Sequence, residues 1–129
     1  MMSTAMSHTM SHTPTAHDLL HTEAVNLATD MADMLLEFRE RVGSEEAYAL
    51  AAEVLTLSDC ILKARMSVTT DKAREHFASG RTLCQRAMIA LERLAARCKI
   101  PLVRSAAVHD RLSSLAKALG ALSEKPPWE

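Results

Sequence analysis

Apolar positions along this chain recur at alternating steps of three and four in four successive stretches, the spacing that keeps side chains on one face of an α-helix. In the first, Leu20, Ala24, Leu27, Met31, Met34, Phe38 and Val42 predict a helix over about 16–42. Thr15 followed by Asp18 has the hydroxyl-then-acid spacing of a capping box, and Gly43 is the natural stop because glycine takes positive φ without strain. In the second, Ala47, Leu50, Val54, Leu57 and Ile61 predict a helix over about 45–66. Ser44 is its expected cap, Glu45 and Glu46 favour its N-terminus, and Ala51, Leu55 and Leu62 are expected to widen the buried stripe.

The third stretch is the longest, and the others are organised around it. Phe77, Gly80, Cys84, Ala87, Leu91, Leu94 and Cys98 predict a helix over about 71–98, roughly 42 Å long at about 1.5 Å per residue, with Thr70 as its cap. Gly80 in its interior, where glycine costs about 1 kcal/mol relative to alanine, points to close helix approach. Pro101 cannot continue a helix, so the chain bends at 99–101. The fourth stretch, Val108, Leu112, Leu115, Leu119 and Leu122, predicts a helix over about 102–122 that starts between Leu102 and Ser105, before Pro126 and Pro127 end the ordered chain.

Connections this short favour antiparallel neighbours. The expected architecture is therefore all-α: an up-down-up-down antiparallel four-helix bundle over 15–123, with a disordered N-terminal arm at 1–14 and a tail at 124–129 that carries Trp128. The arm contains the near-duplicates Met6-Ser-His-Thr and Met10-Ser-His-Thr, with no apolar face and almost no charge. At 129 residues the chain fits one domain, and hydrophobic residues at 48% with aromatics at 3% call for an aliphatic core. No apolar run reaches the ~18 residues of a membrane span and no signal-peptide pattern opens the chain, which predicts a cytoplasmic protein without a membrane partner. Cys60, Cys84 and Cys98 are odd in number, lack CxxC spacing and fall in predicted helices, which reads as buried thiols.

The near-neutral total conceals a segregation of charge. Residues 1–60 hold ten acids and two bases, whereas residues 81–120 hold two acids and eight bases. Asp30, Asp33, Glu37 and Glu40 flank the core face of the first helix; Arg86, Arg93 and Arg97 line the third, and Arg104, Arg111 and Lys117 extend the basic side. Three readings compete for these stripes: solvated faces that compensate one another inside the bundle, self-association through opposite faces, and an anionic partner. Clustered arginine suits phosphate, yet the domain is not basic overall and has few aromatics to stack on bases.

Candidate chemistry is sparse. His8, His12, His17 and His21 cluster near the N-terminus, with His17 and His21 at the i, i+4 spacing that could chelate a metal, but the carboxylate–histidine motifs of zinc and di-iron sites are absent. His76 and His109 qualify for acid–base work by residue type alone, and no nucleophile-elbow, phosphate-loop or dinucleotide signature is present. The reading is of no enzyme, cofactor or metal site.

The run Ala64-Arg65, Lys72, Ala78-Ser79-Gly80-Arg81, Arg86 and Leu91-Glu92-Arg93-Leu94-Ala95, followed by the Pro101 break and an aliphatic last helix, resembles the four-helix-bundle proteins encoded in ribosomal intervening sequences. It is also similar to the accessory proteins of diversity-generating retroelements, over about residues 50–122. The resemblance implies an up-down bundle that assembles into a ring and, for the retroelement members, binds nucleic acid beside a reverse transcriptase. The expected function is thus that of a non-enzymatic bundle acting as a homo-oligomer or through another protein. The alternative is a nucleic-acid-binding accessory protein that uses Arg86, Arg93, Arg97, Arg104 and Arg111.

Overall fold

The computed structural model describes residues 16–125. The N-terminal arm, the Thr15 cap, His8, His12, the His17 side chain and Trp128 lie outside the described residues. Six helices carry the described chain: α1 (Ala16–Glu37), α2 (Arg39–Val42), α3 (Ser44–Leu55), α4 (Leu57–Arg65), α5 (Thr70–Ala96) and α6 (Leu102–Glu124). There is no strand among the described residues, and none of their helices is long and apolar enough to cross a membrane.

Where one helix is expected over 16–42, the structure breaks it at Phe38 (φ −101°, ψ 21°). The Arg39 guanidinium folds back to donate to the Leu36 carbonyl at 2.8 Å beside this break, and the N–H groups of Arg41 and Val42 both reach Phe38 O at 3.0 Å. Similarly, the helix expected over 45–66 is interrupted at Thr56. Its hydroxyl donates to Glu53 O at 2.6 Å and its N–H reaches the same carbonyl at 3.1 Å, a tightened turn of the kind that β-branched hydroxyl residues impose by bonding back to the preceding turn.

The caps also shift by a residue. Gly43 takes positive φ (φ 104°, ψ 124°), donates to Arg39 O at 2.7 Å and stands at the N-cap of α3, so Ser44 is the first helical residue and caps nothing. Thr69, not Thr70, caps α5: it is extended (φ −120°, ψ 155°) and its Oγ1 accepts from Lys72 N at 3.2 Å. The helix expected to run to Cys98 ends at Ala96. Cys98 adopts φ 58°, with Cys98 N donating to Ala95 O at 3.0 Å and Lys99 N to Leu94 O at 2.8 Å. These paired bonds form a Schellman closure, with cysteine at the left-handed position that glycine usually fills. Cys98 is consequently exposed, whereas Ile100 after it is buried.

The core is aliphatic and continuous. Leu27, Met31, Met34, Leu35, Leu57, Ile61, Phe77, Leu91, Ile100, Leu112 and Leu119 are its largest fully buried side chains. Two expectations fail: Phe38 is only partly buried, and Leu55 and Leu62 are exposed instead of widening the stripe. Gly80 sits in the interior with Leu119 of α6 and Cys60 and Leu57 of α4 against it, the close approach its place in the pattern implied. Partners across the packed segments run in opposite order. Along α5 and α6, Arg81 lies by Gly120 and Glu92 by His109; along α1 and α6, Glu23 meets Arg111 and Glu37 meets Arg104.

Candidate interaction surfaces

The acidic flank of α1 meets the basic flank of α6. Arg104 grips Glu37 with both prongs of its guanidinium, at 3.1 and 2.9 Å, while the cation lies 5.3 Å from the centre of the Phe38 ring. The hydrogen bond from Arg104 holds the Glu37 carboxyl below its usual range, and the same bond raises Arg104 in turn. One helical turn and three residues further along α6, Arg111 donates to Asp30 at 2.8 Å and to Glu23 at 3.5 Å, and the bond to Asp30 is the leading cause of its raised pKa. On α5, Arg86 reaches Glu53 of α3 at 2.9 Å.

The ten stripe residues thus divide. Arg86, Arg104 and Arg111 are held by carboxylates within the chain, and Asp30 and Glu37 are two of those carboxylates. Arg93, Arg97, Lys117, Asp33 and Glu40 are exposed and make no ion pair with a described residue. Arg93 shares a shallow groove with Leu50, Glu53, Arg86 and Ile89. Such an arrangement can orient a partner by charge, but three unpaired stripe cations are a small anchor for a polyanion, whose affinity grows with the number of phosphates neutralised.

One polar pair escaped sequence reasoning. His109 Nε2 lies 2.7 Å from a Glu92 carboxylate oxygen, beside a shallow groove lined by Ala95, Ala96, Leu102, Ser105 and Ala106. Their separation of 17 positions, on different helices, carries no motif. Ser105, one turn before His109, is buried and turns its hydroxyl to Leu91 O at 3.4 Å, so the serine is engaged with the backbone and not with the imidazole. His76 lies apart, in a groove with Met66, Val68 and Lys72. Among the described residues no three His, Cys, Asp or Glu side chains gather to hold a metal ion. The thiols differ in environment: Cys84 is buried, Cys60 half-buried and Cys98 exposed. Desolvation pushes Cys84 up to about 12 and raises Cys60.

A further unassigned feature is apolar. Tyr48 and Leu55 on α3, Leu62 on α4 and Met66 at its C-cap are 57%, 48%, 43% and 74% exposed, a second apolar line beside the one that fills the core. Their spacing of seven, seven and four, with Ala52 between the first two, was the available signal. Leu19 on α1 and Val68 after α4 are exposed as well, near the end of α4 where Asp18 pairs with Arg65 at 2.7 Å. No protein-family model, curated protein or solved structure matches this chain.

Proposed function

We propose that this protein is a non-enzymatic, cytoplasmic up-down-up-down antiparallel four-helix bundle that works by association, with a second copy of itself or with another protein. In this reading α1 with α2 forms the first rod, α3 with α4 the second, and α5 and α6 the third and fourth, the breaks at Phe38 and Thr56 being kinks within rods. The observation that supports association is the line Tyr48, Leu55, Leu62 and Met66: large apolar side chains, left in water on a helix whose other face already fills the core. Single exposed apolar residues need no explanation, but an aligned set of four with heptad-like spacing marks a surface for another helix.

The nucleic-acid reading is less favoured because Arg86, Arg104 and Arg111 are engaged by Glu53, Glu37 and Asp30. The resemblance to the intervening-sequence and retroelement proteins agrees with an associating bundle. Light scattering on the full chain tests the proposal: a mass above the 14.1 kDa of one chain is expected. A mass of one chain at every concentration, with no protein partner recovered by cross-linking in cells, would overturn it. Retention of RNA or DNA that falls steeply with salt would favour the alternative.

A further inference from the structure

Resting on the reading that the protein acts by association, we propose that two copies pair antiparallel through α3 and α4 about a two-fold axis, with Tyr48 of each copy opposite Met66 of the other. The positions on this side of the helices are Tyr48, Ala52, Leu55, Asp59, Leu62 and Met66, which alternate by four and three as a helix–helix contact line requires. All six are exposed, so none is spent on the chain's own core. Reversed and laid on itself, the line matches: the small Ala52 faces the large Leu62, and Tyr48 faces Met66. Asp59 falls opposite Leu55, so the interface holds two carboxylates, one from each copy, at some cost in affinity.

Charge selects a second copy and its direction. The line starts beside Glu45 and ends beside Lys63, both exposed and without an ion pair to a described residue, while Arg65 nearby is held by Asp18. An antiparallel copy brings the acidic start toward the basic end twice over, whereas a parallel copy would set Glu45 against its own kind. Antiparallel helix dipoles add to the preference. The same patch used on both sides closes the assembly at two chains, since a two-fold contact leaves no free half to extend.

Cysteine cross-linking reads the geometry directly. Residues 48 and 66 of one chain lie about 27 Å apart at ~1.5 Å per residue, too far for a disulfide within the chain. In a Cys98→Ser background, Tyr48→Cys with Met66→Cys should give an oxidised product of twice the 14.1 kDa chain mass, while Tyr48→Cys alone and the background alone give none. Cross-linking by Tyr48→Cys alone, as efficient as by the pair, would mean parallel chains and overturn the inference. Leu55→Glu with Leu62→Glu should halve the mass in light scattering with the helical circular dichroism unchanged. A wild-type chain that is monomeric throughout overturns this inference together with self-association. A multimer that keeps its mass in the Glu variants and yields no product from the cysteine pair overturns this interface and leaves association standing. Deletion of residues 1–15 should leave the number of chains in the assembly unchanged; dimerisation only after deletion would show that the chain's own arm occupies the face, against the inference.

Discussion

Gly80 of α5 lies so close to Leu119 of α6 that a Cβ built on the glycine would stand 3.2 Å from Leu119 Cδ1. Two effects oppose one another there. Alanine would gain about 1 kcal/mol in helix propensity, but Leu119 is fully buried and Cys60 Cβ follows at 3.5 Å, so the core must yield by a few tenths of an ångström. Gly80→Ala is expected to destabilise by about 1 kcal/mol or less in urea titration. At Gly120 the new Cβ would meet only the Arg81 side chain, at 3.3 Å, which can swing aside, so Gly120→Ala is expected to stabilise by about 0.5–1 kcal/mol. Equal gains at both sites would mean that the α5–α6 contact is loosely packed.

Leu91 tests the register of the longest helix. It is fully buried, and truncation to alanine leaves a cavity that surrounding side chains fill only in part. Leu91→Ala should cost about 2–5 kcal/mol by chemical denaturation. A loss under about half a kcal/mol, the scale of surface substitutions, would show that α5 presents another face.

The Arg104–Glu37 bridge carries a pH signature. Because the bound form of Glu37 is the carboxylate, its pKa lies below the ordinary glutamate value of 4.5. The contribution to stability is therefore complete above 4.5 and lost as pH falls through the lowered folded value. Carboxyl chemical shifts followed by NMR should show Glu37 titrating at lower pH than an unpaired glutamate, and Arg104→Gln should return it to the ordinary value. A Glu37 titration indifferent to that substitution would mean the bridge does not persist in solution.

The three thiols should separate by reactivity. Thiolate is the reactive form, so burial that pushes Cys84 up to about 12 makes it inert at mildly alkaline pH, and Cys60 is slowed in the same direction. Alkylation of the native protein followed by mass spectrometry should label Cys98 first and Cys84 only on unfolding. Rapid labelling of Cys84 would reveal frequent opening between α4 and α5.

Much of the helical plan is written in local pattern, and its exceptions are written in single side-chain bonds. Four apolar periodicities place the main helical stretches, and Gly43 and Pro101 mark two of the breaks between them. The interruptions at Phe38 and Thr56 do not disturb periodicity. They coincide with the hydrogen bonds of Arg39 to Leu36 O and of Thr56 to Glu53 O, for which spacing gives no sign. Cys98 fits the repeat by spacing, yet the backbone has already turned left-handed at that point. A helical wheel likewise cannot say whether Leu55 and Leu62 widen a buried face or belong to a second one, because that depends on how many neighbours surround the helix. The acidic and basic flanks were visible as composition, whereas the choice of Arg104 for Glu37 and Arg111 for Asp30 depends on which helices become neighbours.

The bridges between α1 and α6 span 67, 81 and 88 positions of chain. During synthesis α1 is made before α3, α4 and α5, and the arginines that pair with its acids are translated only after them. Loop-closure entropy for such distant contacts is met only once the intervening helices have drawn the two ends together. The α1–α6 side therefore cannot be completed before α6 has been made, and until then the nascent chain carries that wall open.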